Sequence, residues 1–281
     1  MAERAEDFPA KGGDRVRRHR LATRIWHWAN AAILAVMLMS GLMIFNAHPH
    51  LYWGQYGANF DHAWLEIEAV GNRGTLRIGQ VTLPTTGVLG FSRGPDGGAW
   101  NYAFPPWITI PSHYSLADAR IWHFAFAVLL IVSWPLYLIV SLANGHLRGD
   151  LLPTRAEVGP RHIWHDITQH ARLRFPTGAA ALRYNILQKL AYGAVLFALL
   201  PLVILTGLAM APGMDAAWPW LTVVFGGRQS ARSIHFLMMA ALLGFFVVHI
   251  VMVVLAGPVN ELGAMITGWY RLPRARKDRR G

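Results

Sequence analysis

Four stretches of this chain are long and apolar enough to cross a bilayer, and nothing else in the sequence limits its folds as strongly. They run over about Ile25–Phe45, Ala117–Ala143, Leu190–Ala211 and Ser233–Ala256. A spanning helix needs roughly 20 apolar residues at about 1.5 Å of rise each. In hydrocarbon, only elements that satisfy their own backbone groups persist, so runs of this length predict helices. Hydrophobic residues make up 54% of the chain and charged ones only 15%, a balance foreign to soluble domains. The expectation is an all-α membrane protein built as a four-helix transmembrane bundle. Pro201 falls inside the third span, which membranes tolerate. The opening MAERAEDFPAKGGDRVRRHR is too polar to hold a signal core before Leu21, so no cleavable signal peptide is expected.

Charge orients the bundle. Residues 1–24 hold seven Lys/Arg, 144–189 seven and 257–281 six, so twenty of the 26 basic residues lie on one side of a four-span layout. That side is expected to be cytoplasmic. The layout is a basic cytoplasmic tail (1–24), a transmembrane domain (25–256) with a periplasmic insert at 46–116 and a cytoplasmic loop at 144–189, and a second basic tail (257–281). Residues 1–20 read as disordered. The insert is long, and GNRGTLRIGQVTLPTTGVLGF has turn-punctuated β composition, so short strands are expected there. The cytoplasmic loop carries RHIWHDITQHARLRFP, with His162, His165 and His170, and is expected to be partly helical along the membrane surface. The net charge of +11 is thus a topology signal. The basic residues flank spans instead of forming one aromatic-studded face, which argues against nucleic acid as a partner.

Cysteine is absent, which excludes disulfides, cysteine-held iron–sulfur clusters and haem attached through Cys-x-x-Cys-His. Thirteen histidines remain. Three of them sit in a recurring step at the mouths of spans: RIWHW at Arg24–Trp28, RIWHF at Arg120–Phe124 and RSIHF at Arg232–Phe236. His27, His123, His235 and His249 fall within or beside spans, where ionisable residues are rare and usually functional.

Depth pairs them. His235 and His249 are fourteen residues apart, so on one helix they share a face to within roughly 40° and are separated by about 21 Å. His27 opens a span entered from the cytoplasm and matches His249. His123 opens a span entered from outside and matches His235. Each pair offers two axial ligands to one iron, and an apolar bundle suits a porphyrin, so two b haems are expected, His27/His249 holding the inner iron and His123/His235 the outer. Zinc fits poorly at two ligands per site, and a bare histidine relay leaves the matched depths unexplained. Arg24, Arg120 and Arg232 lie one turn closer to the surface than a ligand, within reach of haem propionates. The competing reading makes them snorkelling interface arginines.

These residues resemble the bacterial di-haem cytochrome b group with a cytochrome b561 fold. It includes the membrane subunits of formate dehydrogenase, nickel–iron hydrogenase and thiosulfate reductase. RIWHW, RIWHF and the His235/His249 spacing carry the likeness, while FGGRQSARSIHF and YNILQKLAY look like the thiosulfate-reductase branch. The long insert departs from the short loop of the formate dehydrogenase subunit. The resemblance implies electron transfer between a periplasmic redox enzyme, of molybdenum type, and membrane quinone. Tyr184, Asn185, Gln188 and Lys189 at the third span's inner edge, with His165 as proton carrier, are the candidate quinone residues. Their plainer reading is a polar helix cap with a basic anchor, and a quinone could instead dock near the outer haem. Trp64, Trp100, Tyr102, Phe104 and Trp107 make the insert the candidate docking surface for the partner. Two further readings stay open: a stand-alone superoxide:quinone oxidoreductase, and a haem-free membrane scaffold or transporter.

Overall fold

The computed structural model describes residues 13–58, 61–172 and 182–272. The ends of both basic tails and the middle of the 144–189 loop lie outside them. Eight helices are used below: α1 (Leu21–Phe45), α2 (Leu116–Ala143), α3 (Pro160–Ala171), α4 (Ile186–Met210), α5 (Pro212–Ala217), α6 (Pro219–Val224), α7 (Arg228–Ala256) and α8 (Pro258–Thr267). Among the described residues, α1, α2, α4 and α7 are the four long and apolar enough to cross a membrane. Their outward surface is oily: Val128, Val132, Val247 and Val248 are each more than half exposed, while Ser40, Thr206 and Ser233 are fully buried. That inversion suits a lipid surround, where small and hydroxyl-bearing residues let helices approach closely.

Three spans begin a helical turn or more before their apolar runs, α1 at Leu21 and then α4 and α7. α4 starts at Ile186 because Asn185 and Gln188 form a reciprocal capping box, an arrangement worth about 1 kcal/mol. α7 starts at Arg228, just after Gly226 and Gly227 turn the chain at φ 76° and 111°, a region open to glycine at little steric cost. Within α4 a wide π turn at Val195–Leu199 directly precedes Pro201. Proline has no N–H to give the carbonyl four residues back, and a widened turn absorbs the missing bond.

The chain forms two compact units, and each of the four long helices contributes a segment to both. The first unit draws on the chain up to Trp28, Pro135–Ala198 and everything from Leu242 onward. Here strand β1 (Arg15–Arg17) pairs antiparallel with β8 (Trp269–Arg271), Val16 opposite Tyr270. Arg18 binds Glu261 at 3.0 Å and lies 4.4 Å over the Tyr270 ring. Ala264, Tyr270 and Leu272 form the small core beneath, with Val16 and Leu182 against it. This corrects the expectation of disorder through residue 20. From Gly13 on, the first basic tail is ordered, because its strand partner lies at the opposite end of the chain.

The second unit comprises Ala29–Trp134 and Leu199–Ala241 and includes the insert. The expected short strands are present. β2 (His50–Leu51), β3 (Leu65–Val70), β4 (Arg73–Ile78) and β5 (Val81–Pro84) form an antiparallel sheet in that order, and β6 (Ser92–Arg93) pairs with β7 (Ala99–Trp100). Phe45, Leu51, Leu65, Ile67 and Ala103 form its core. The sheet is fastened to the start of α7. Trp64 Nε1 donates to Ser233 Oγ at 2.9 Å, Ser233 donates to the Tyr52 carbonyl at 2.6 Å, and Ser230 Oγ accepts from the Gly54 amide at 2.7 Å. Gly227 lies against Gln55, where a Cβ would fall 2.6 Å from backbone. Of the five aromatics singled out in the insert, Trp100 is buried and Trp64, Tyr102 and Phe104 are partly buried against the insert's own residues, while Trp53 and Tyr56, which were not singled out, are exposed. Trp100 is 9% exposed and bonds the Phe104 carbonyl, Tyr102 stacks on Tyr114 at 4.5 Å, and Phe104 packs on Phe45. Of the five named, Trp107 alone is largely exposed, at 72%. Their periodicity in the sequence could not distinguish an inward from an outward face.

Candidate functional site

In the second unit, α2 carries His123 and α7 carries His235. Their ring centroids lie 6.3 Å apart with the planes at 64°. In the first unit, α1 carries His27 and α7 carries His249, again with centroids 6.3 Å apart, the planes at 57°. Two imidazoles facing each other across one metal, each nitrogen about 2 Å from it and about 1.1 Å from its own ring centre, have centroids about 6 Å apart. Both pairs meet that spacing. All four sequence-predicted histidines are therefore grouped two by two, in the combinations that depth suggested.

The surroundings of the two pairs differ. His123 Nδ1 lies 3.1 Å from Ser40 Oγ and 3.2 Å from the Met37 carbonyl. His235 Nδ1 lies 3.1 Å from Thr206 Oγ1. Gly41 and Gly207 follow those hydroxyl residues, and a Cβ on either would fall 3.2 or 3.3 Å from the Cε1 of His123 or His235. In the other pair, Phe245 stacks on His249 at 5.7 Å and Trp28 meets His27 edge-on at 5.1 Å. His27 Nδ1 is buried with no hydrogen-bond partner among the described residues.

The three arginines take different partners. Arg24 donates Nε to the Met265 carbonyl at 3.3 Å and a second nitrogen to the Ile266 carbonyl. Arg232 donates to the carbonyls of His50, at 3.0 Å, and His48. Arg120 is exposed, its guanidinium 5.5 Å over the Phe124 ring. Two of the three are thus engaged by backbone, which the sequence reading did not foresee because those carbonyls come from distant segments. A guanidinium has five N–H donors, so some remain.

The candidate quinone residues separate in the same way. Asn185 and Gln188 are the capping box of α4. Lys189 is buried and ion-paired with Glu157 at 2.8 and 2.9 Å, the plainer anchor reading. That hydrogen bond, helped by the Thr154 backbone, draws the Glu157 carboxyl down to about 2. His165 is exposed on α3. Tyr184 is the exception: its hydroxyl lies 3.5 Å from His19 Nδ1, its ring meets Tyr192 edge-on, and burial pushes its phenol well above the usual range. His19, which the sequence reading passed over as part of a tail, is 8% exposed. Burial first, then the Arg18 cation, lowers it to about 4. His146 is equally buried, with Nδ1 2.7 Å from Asp150 and Nε2 lacking a partner among the described residues. The missed signal was a histidine directly beside the arginine cluster that opens α1.

Comparison with known proteins gives a family. The family model described as prokaryotic cytochrome b561 matches residues 18–268. A protein of Azospira oryzae, YedZ1, whose name carries a provisional assignment as a protein-methionine-sulfoxide reductase subunit, is 32% identical over 153 residues. The match covers 54% of this chain and 72% of that protein. No solved structure matches the chain. With four apolar spanning helices and a family match over most of its length, the chain is an integral membrane electron-transfer subunit that binds b-type haem, and it belongs to the prokaryotic cytochrome b561 family.

Proposed function

We propose that this chain is a di-haem subunit that passes electrons across the membrane between a periplasmic oxidoreductase, of molybdenum type, and the quinone pool. The observation that carries the reading is the double 6.3 Å spacing of His27 with His249 and of His123 with His235. When bound, haem supplies reversible one-electron chemistry in a site whose polarity and hydrogen bonds the protein controls. His27 and His249 would hold the iron nearer the cytoplasm, and His123 and His235 the iron nearer the periplasm. The basic distribution supports that orientation, with both termini cytoplasmic. Arg120, with the remaining donors of Arg24 and Arg232, would meet the propionates. A pyridine haemochrome assay tests the stoichiometry. Two b haems per chain are expected, and one or none overturns the reading.

Quinone reduction takes up two protons, so the pocket needs donors reached from water. Tyr184 keeps its proton at neutral pH, and neutral His19 lies beside it. We infer that these two residues receive the quinone near the His27–His249 haem. Asn185 and Gln188 shape that edge through the α4 cap, and exposed His165 is the more remote proton carrier. The partner would dock on the insert through its exposed apolar residues, Trp107 with Val81 and Leu83. YedZ1, as a named reductase subunit, supports a partner of the oxidoreductase class. Replacing the β4–β5 edge with a short flexible linker should abolish partner co-purification while both haems remain. A partner that still binds and exchanges electrons at the normal rate places docking elsewhere.

A further inference from the structure

The surroundings of His123 and His235 repeat a single device on two helices. On α1, Ser40 Oγ donates to the Val36 carbonyl at 2.7 Å. On α4, Thr206 Oγ1 donates to the Leu202 carbonyl at 2.6 Å. A hydroxyl has one proton, so each of these faces its histidine as an acceptor. The Met37 carbonyl, three residues before Ser40, also bonds His123 Nδ1 and can only accept. An acceptor facing Nδ1 requires the proton there, which leaves the lone pair of Nε2 for a metal. The next residue on each helix is glycine, and a Cβ there would press on the imidazole Cε1 at 3.2 or 3.3 Å. Residues 36, 40 and 41 thus correspond one by one to 202, 206 and 207.

We propose that Ser40 and Thr206 are positioning residues. They fix the tautomer of His123 and His235 and hold the midpoint potential of the haem between them below the value it has without the two hydroxyls. An N–H donated from the far side of an imidazole makes its ligating nitrogen more basic and favours the oxidised iron. The other pair lacks this device at His27, whose Nδ1 has no partner among the described residues. The inference rests on the reading that His123 and His235 hold a haem.

The test is a redox titration of the purified chain, with haem content and the low-spin electron paramagnetic resonance signals recorded alongside. Ser40→Ala and Thr206→Val should each raise one of the two midpoints and shift one low-spin signal, with a larger shift in the double variant. Ser40→Thr and Thr206→Ser retain a hydroxyl and should restore the wild-type values. Loss of one haem in Ser40→Ala, restored in Ser40→Thr, also supports the positioning role. Unchanged midpoints, equal shifts of both haems, or shifts in the hydroxyl-retaining variants as large as in Ser40→Ala overturn it. His123→Ala is measured in parallel. If that variant keeps full haem content, the haem assignment has failed, not the tuning argument.

Discussion

The two histidine pairs share a spacing and differ in what stands behind the rings. At His123 and His235, a hydroxyl and a glycine hold each imidazole from α1 and α4, and a backbone carbonyl also bonds His123. At His27 and His249 the neighbours are aromatic: Trp28 edge-on and Phe245 stacked. The first arrangement fixes a tautomer and a ring angle through directional bonds. The second fixes each ring by shape, and His27 Nδ1 has no hydrogen-bond partner among the described residues. One centroid distance is thus reached with two different sets of neighbours, and hydrogen bonding to a ligand is one of the levers by which a protein tunes a bound haem.

The largest effect should come from removing a ligand. His123→Ala and His235→Ala should each lose the same haem, His27→Ala and His249→Ala the other, halving haem per chain in every case by pyridine haemochrome. If His27→Ala and His123→Ala remove the same spectral component, the pairing is wrong and the comparison collapses.

Glycine substitution separates the two environments next. Gly41→Ala and Gly207→Ala should displace His123 and His235 at a cost of about 1–3 kcal/mol of overpacking, seen as lowered occupancy or an altered spectrum of one haem alone. Gly193→Ala in α4 and Gly244→Ala in α7 meet nothing within 4 Å. They should leave both spectra intact and gain up to about 1 kcal/mol of helix propensity. Equal disturbance by all four would mean that the cradles have no special role.

A third, smaller effect concerns the polar edge of the first unit. Tyr184→Phe with Gln188→Ala should slow haem oxidation by a quinone analogue several-fold, at unchanged haem content and partner-driven reduction. Gln188→Ala also removes half the α4 cap, costing about 1 kcal/mol, so Tyr184→Phe alone is the cleaner probe. Unchanged kinetics in both would move the quinone to the His123–His235 side.

The smallest effect is a pH dependence of that unit. His19 is lowered to about 4 and Glu157 to about 2. Both folded values are depressed, so in each case the folded state binds fewer protons than the unfolded chain. The His19 contribution is complete above its ordinary value of 6.5 and is lost as pH falls toward about 4. The Glu157 contribution is complete above 4.5 and is lost toward about 2. Thermal melts should show His19→Gln flattening the upper window and Glu157→Gln the lower. A wild-type melting temperature constant from pH 7 to 4 would contradict the burial of His19.

The pattern of apolar runs determined the four spans, and helical arithmetic on His235 and His249 determined which histidines could meet at which depth. These follow from local rise and turn, which the sequence carries directly. The absence of cysteine likewise left histidine as the means of holding iron. What only the tertiary structure decided lies across long separations. Ser40 reaches His123 over 83 residues, Arg15–Arg17 pairs with Trp269–Arg271 at the other end of the chain, and Arg24 and Arg232 find carbonyls that no local pattern announces. The SG of α1 and the TG of α4 are visible as letters, yet two-residue steps of small side chains are common in packed membrane helices. Their chemistry exists only once two helices are close enough for a hydroxyl with a single proton to face a ring nitrogen.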